Sequence, residues 1–121
     1  MPSVLLVALG GAVGAVARYG LGLAAVRLVG AGVPLGTWVA NAVGSFAIGL
    51  ALPLVVGERA RLALVVGVLG SFTTFSTYSA DTVLLWEAGR RGLAVANAAG
   101  SVAVGLLCVA AGLAAGRHLA G

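Results

Sequence analysis

Read along the chain, charged side chains fall in small groups separated by long apolar runs. Charges stand at Arg18, Arg27, Glu58, Arg59, Arg61, Asp81, Glu87, Arg90, Arg91 and Arg117. Thirty uncharged residues separate Arg27 from Glu58, nineteen separate Arg61 from Asp81, and twenty-five separate Arg91 from Arg117. A helix of about 20 mostly apolar residues is long enough to cross the hydrocarbon of a bilayer. The pattern therefore predicts four spans, near 4–26, 35–56, 62–86 and 92–115, in a single domain covering 1–121. The first span does not read as a secretory signal. Met1 to Leu9 has no basic side chain, and the apolar run continues through Gly10-Gly11 to Arg18. Pro34 suits the start of a helix, where a missing N–H costs little. Pro53 predicts a bend near the end of span two. Trp38 and Trp86, near span ends, are expected at the membrane–water interface.

Composition turns this pattern into a statement about solvent. Hydrophobic residues make up 61% of the chain and charged residues 8%, against about 25% charged in soluble domains. The mean hydropathy is +1.16. Such a chain has no polar face to turn to water, so its solvent is lipid and it is expected in the cell membrane as a multi-pass protein. The isoelectric point near 10.7 comes from arginines scattered at span ends, with no basic patch, so nucleic acid is not an expected partner. Cys108 is alone and has no partner within its own chain.

Arginines in short loops set orientation. One side of the predicted membrane carries Arg59, Arg61 and Arg117; the other carries Arg27, Arg90 and Arg91. Three against three gives no strong preference, and two oppositely inserted copies can pair about an axis in the membrane plane. The alternative is a fixed orientation set by a partner or by the first span. Twenty glycines, many inside the spans, suit close approach of helix backbones. A weak repeat at an offset of 56 aligns residues 41–50 with 97–106, identical at seven of ten positions, as a duplicated hairpin would.

Polar groups inside the membrane are costly and point to function. The densest run is Gly70-Ser-Phe-Thr-Thr-Phe-Ser-Thr-Tyr-Ser79. Its β-branched and hydroxylated residues weaken a helix and predict a break near the middle of span three. A break frees backbone carbonyls, tolerated at that depth only inside protein or beside a cavity, and such carbonyls suit an alkali cation. Interhelical hydroxyl packing alone is the competing reading. Phe72, Phe75 and Tyr78 recur every three residues. Their positive ring edges offer weak contacts to a small anion, although aromatic stripes commonly serve packing. Asn41 and Ser45, four apart, share a face of span two and carry N–H and O–H donors; Ser101 offers another donor on span four. Arg18 lies about 13 Å along the helix from Arg27. It either snorkels, pairs with Asp81, or biases the local potential towards anions.

The segments Gly10-Gly-Ala-Val-Gly-Ala-Val-Ala-Arg-Tyr19, Asn41-Ala-Val-Gly-Ser-Phe46 and Gly70–Ser79 resemble, in order and spacing, the motifs of the CrcB/Fluc family of fluoride channels. The resemblance covers nearly the whole chain. It implies an all-α membrane protein of four transmembrane helices, the third broken near its middle, assembled as an antiparallel, dual-topology dimer. The partner is a second copy of the chain or a paralogous one. It implies passive export of fluoride, and a structural sodium ion, not transported, held by the backbone carbonyls of Gly70 and Thr73. It makes Asn41 the pore-lining amide and Phe75 and Tyr78 the lining aromatics, with Ser101 on the polar track of span four. Thr77, in the same run, joins this anion-binding set. Two positions depart from the usual pattern: Tyr78 stands where Phe is common, and Asn97 where Tyr is frequent.

Two other classes of membrane protein fit these residues less well. A proton-coupled exporter of the small multidrug resistance type needs a titratable carboxylate in span one, and this chain has no acid before Glu58. A non-conducting structural subunit needs packing glycines but no hydroxyl–aromatic run. An enzyme is not expected, since the residues form no metal-ligand or catalytic cluster and His118 stands alone.

Overall fold

The computed structural model describes residues 1–121 and is entirely helical. Helix α1 runs Ser3–Val29 and α2 runs Leu35–Leu54. The third span begins with α3 (Glu58–Arg61), continues as a π-helical segment (Leu62–Leu69) and ends its first half at α4 (Gly70–Phe72). Its second half is α5 (Phe75–Glu87), and α6 (Arg91–Ala120) completes the chain. Four stretches are long and apolar enough to cross a membrane: Ser3–Val29, Leu35–Leu54, Glu58–Glu87 and Arg91–Ala120. Three of them outrun the apolar cores read from sequence. Nothing in their polar ends breaks the ladder, so the helices continue into the headgroup region. Thirty helical residues reach about 45 Å, beyond a hydrocarbon core of about 30 Å.

The connections are tight. Gly30 ends α1 with φ 77° and donates its N–H to the Val26 carbonyl at 2.8 Å, a left-handed cap that favours glycine. Gly89, with φ 82°, makes the turn between α5 and α6. On one side of the molecule Arg59 donates to the Met1 carbonyl. On the other, Arg90 donates to the Gly32 carbonyl, and the Arg91 guanidinium lies 4.8 Å from the centre of the Trp86 ring, a cation–π contact. Gly57, before α3, has φ −78° and open space around it.

Alternate spans run parallel, and the two parallel pairs pack most extensively: α2 with α6, and α1 with the π-helical segment. Glycine is the cause. A β-carbon on Gly49 would collide with the Val109 carbonyl of α6, and one on Gly112 with the Phe46 carbonyl of α2. Gly10 meets the Ala63 carbonyl and Gly67 in the same way. Only 12 residues are buried, and seven of them are glycines. The interior is thus backbone against backbone, as expected where lipid removes the hydrophobic drive between helices. Large apolar side chains such as Val16, Leu106 and Leu107 point outward. Pro53 lies in the last turn of α2, its ring against Gly116.

Between α4 and α5 two residues are extended. Thr73 has φ −87° and ψ 159°, and Thr74 has φ −152° and ψ 126°. Thr74 then caps α5, its hydroxyl accepting the Thr77 N–H at 3.2 Å, a common helix start.

Candidate functional site

The interruption at Thr73–Thr74 is held from α2. Asn41 accepts the Thr74 N–H on Oδ1 at 2.9 Å and donates Nδ2–H to the Thr74 carbonyl at 3.1 Å. One side-chain amide therefore replaces both helical bonds that the extended residue lacks, much as a neighbouring strand would. Thr73 reaches back, its hydroxyl donating to the Leu69 carbonyl at 3.0 Å. Its methyl rests against Gly44, where a β-carbon would collide with it. Arg18 approaches from α1 and donates Nε–H to the Ser71 carbonyl at 3.2 Å. Of the three roles open for Arg18 in the sequence, the geometry shows none directly. It shows a bond to the backbone just before the interruption.

A cavity of about 320 Å³ lies against this feature, between α2, the third span and α6. Asn41, Gly70, Thr73, Phe75, Tyr78 and Ser101 all line it, with Ser45 and Gly44 beside them. A second cavity, of about 250 Å³, is lined by Trp38, Asn41, Gly100 and Ser101 among others. Asn41 and Ser101 are the two residues common to both, so they form the wall between them. Thr77 is not among the lining residues; its backbone N–H and its hydroxyl both bond Thr74 Oγ1.

Several polar groups have protein partners. The Tyr78 hydroxyl donates to the Ala98 carbonyl of α6 at 2.6 Å, which ties α5 to α6. Its ring stands 5.6 Å from that of Phe75, tilted by 42°. Phe75 is 78% exposed at the cavity rim. Ser79 and Thr82 donate to the carbonyls four residues before them, so much of the hydroxyl run bonds its own helix.

Two residues at the site, Asn97 and Trp38, are not marked by the sequence as hydrogen-bond partners. Asn97 is 2% exposed and fully bonded. Its Oδ1 accepts from Trp38 Nε1 at 2.6 Å and from Ser101 Oγ at 3.3 Å. Its Nδ2 donates to Thr82 Oγ1 at 2.8 Å and to the Tyr78 carbonyl at 3.5 Å. Trp38 accordingly turns its N–H inward to α6 rather than to the interface. A signal was present: Trp38 is three residues before Asn41 on one helix face, and Asn97 is four before Ser101.

Asp, Glu, His and Cys form no cluster of three able to hold a metal. The oxygens gathered at the interruption are neutral carbonyls and hydroxyls, a hard, uncharged set that fits an alkali cation better than a divalent or transition metal.

Fold and site together define a multi-pass helical membrane protein whose polar groups converge on cavities between its spans. The family model described as "CrcB-like protein, Camphor Resistance (CrcB)" matches residues 5–113, and the chain belongs to this family. It is 48% identical over 124 residues to a protein of Agrobacterium fabrum named fluoride-specific ion channel FluC, covering 98% of this chain and 99% of that one. A protein of the same name from Thermus thermophilus is 49% identical, with 97% and 95% covered. One from Chloroflexus aurantiacus is 41% identical over the full length of both.

Proposed function

We propose that this chain is a fluoride channel of the cell membrane that lowers cytoplasmic fluoride by passive export. The observation that carries the reading is the shared wall. Asn41 and Ser101, both bearing N–H or O–H groups, separate two cavities at the depth where the third span is interrupted. A small anion moving from one cavity to the other passes between a neutral amide and a neutral hydroxyl and meets no carboxylate in either lining. Fluoride entering as the neutral acid is trapped as the anion in a less acidic cytoplasm. An inside-negative potential then drives it out by about 2.3 kcal/mol per 100 mV. No coupling chemistry is needed, and selectivity rests on width and donor placement.

In this reading the extended residues Thr73 and Thr74 are a functional break of the third span, and the channel is an antiparallel dimer. Phe75, a large apolar ring 78% exposed beside the interruption, is a side chain that a second subunit would cover. A copy in the opposite orientation, or a paralogous chain, fills that role. Gly70 and Thr73, which line the same cavity, would hold a structural sodium ion through their carbonyls. The ion would supply a fixed positive charge that keeps the freed backbone oxygens together.

The test is reconstitution of the chain alone in liposomes, with external fluoride followed by an electrode. Rapid efflux of fluoride and none of chloride is expected. Equal passage of both ions, or silence even with a paralogous chain supplied, would refute the reading.

A further inference from the structure

The hydrogen bonds around Asn97 orient its amide and offer the Ser101 hydroxyl an acceptor at the shared wall. An indole N–H donates and never accepts. The bond from Trp38 Nε1, 2.6 Å long, therefore assigns Oδ1 of Asn97 to the side facing Trp38, and Nδ2 to the side facing Thr82. Ser101 Oγ lies 3.3 Å from that same Oδ1. With its single proton given to Asn97, the oxygen has only lone pairs left to offer the cavities that Ser101 lines. In this state Ser101 presents an acceptor, which repels an anion.

The amide oxygen has two lone pairs and two donors. Trp38 holds one at 2.6 Å and Ser101 the other at 3.3 Å. When the Ser101 hydroxyl rotates away, Oδ1 keeps its shorter bond and is not orphaned. Asn97 is 2% exposed, so no lipid or bulk water has to fill the vacated place. Resting on the channel reading above, we propose that Trp38 and Asn97 are positioning residues that hold the Ser101 proton until a small dehydrated halide arrives and then free it to donate. Trp38 acts at a distance from the ion: it keeps the buried acceptor satisfied while Ser101 is away.

Trp38→Phe removes the N–H and makes Ser101 the sole donor to Oδ1. Freeing Ser101 then orphans a buried acceptor, and fluoride efflux from liposomes is expected to fall about tenfold. Site-specific replacement of Trp38 by 3-benzothienylalanine keeps the bicyclic shape, deletes only the N–H, and gives the same loss in a chain that packs normally. In a Ser101→Ala background, which is itself slower, both changes at position 38 leave the rate within about twofold, because no proton remains to be released. Equal slowing with and without Ser101 marks a packing effect and overturns the inference, as does an unchanged rate on deleting the N–H. Where Ser101→Ala leaves too little efflux to compare, the indole N–H band of Trp38, read by resonance Raman in a Trp86→Phe chain, decides. It shifts on adding fluoride and not on adding chloride; a band blind to fluoride overturns the inference. A wild-type chain that conducts no fluoride removes the channel reading and this inference together. A conducting wild type with any of the contrary results removes the inference alone.

Discussion

At the scale of single residues, the site depends on amides and hydroxyls whose partners are other protein groups. Asn41 is the clearest case, because its amide is the hydrogen-bond complement of Thr74. Asn41→Ala leaves an N–H and a carbonyl unpaired, each costing about 1–3 kcal/mol. The purified protein is expected to melt at lower temperature and to pass fluoride more slowly. Asn41→Asp also loses the donor to the Thr74 carbonyl but adds a charge, so its slowing beyond that of Asn41→Ala reports on the anion route. This variant keeps an acceptor for the Thr74 N–H and puts a negative charge in the wall between the cavities. An anion about 4 Å from that charge meets about 4 kcal/mol of repulsion at an effective dielectric near 20. Efflux is expected to drop more than about a hundredfold in a chain that still folds, as judged by its elution and melting profile. Efflux close to wild type would place the ion route elsewhere. Asn41, Ser101, Phe75 and Tyr78 stood out in the sequence because polar or aromatic groups inside an apolar run need a reason. The bonds of Asn97 did not stand out. A buried amide shows only that partners exist, and those partners, Trp38 and Thr82, lie 59 and 15 residues away.

At the scale of elements, the apolar runs placed all four spans, since the length of hydrocarbon to be crossed fixes how many residues must be uncharged. Helix ends were less legible. Arginine and glutamate end an apolar run without ending a helix, so α6 continues to Ala120. The π-helical stretch Leu62–Leu69 was invisible, because its residues are as apolar as those of an ordinary turn. Glycine count alone did not separate packing glycines from the rest; the structure does. Gly49 faces backbone atoms of α6, whereas Gly20 in α1 faces open space. Gly49→Ala is expected to destabilise the protein by about 1–3 kcal/mol through overpacking that no rotamer can relieve. Gly20→Ala is expected to leave stability unchanged or raise it by up to about 1 kcal/mol through helix propensity. Thermal unfolding of the two purified variants in one detergent makes the comparison. Equal shifts would mean that α2 and α6 do not meet on glycine.

At the scale of the whole molecule, the four spans pack most extensively not on their sequence neighbours but as two parallel couples, α1 with the third span and α2 with α6. These couples join segments that the weak offset of 56 relates, so each span packs hardest on its own counterpart in the repeat. That preference was not readable from the repeat itself, since similar hairpins can dock in more than one way. The arginines add a second layer. Arg59 and Arg90, counted in the sequence as orientation signals, also fasten the Met1 and Gly32 backbones on their respective sides. Deleting either to steer insertion would therefore unbuckle a terminus or a loop along with changing the topological vote. Gly57 and Gly92 offer cleaner steering handles, since both have open surroundings and lie on opposite sides. Gly57→Lys and Gly92→Lys each tip the three-to-three tally by one, in opposite senses. If the proposed antiparallel pair is the working unit, each variant expressed alone should protect cells from fluoride poorly, and the two expressed together should restore growth. Full protection by either one alone would show that a single insertion direction suffices.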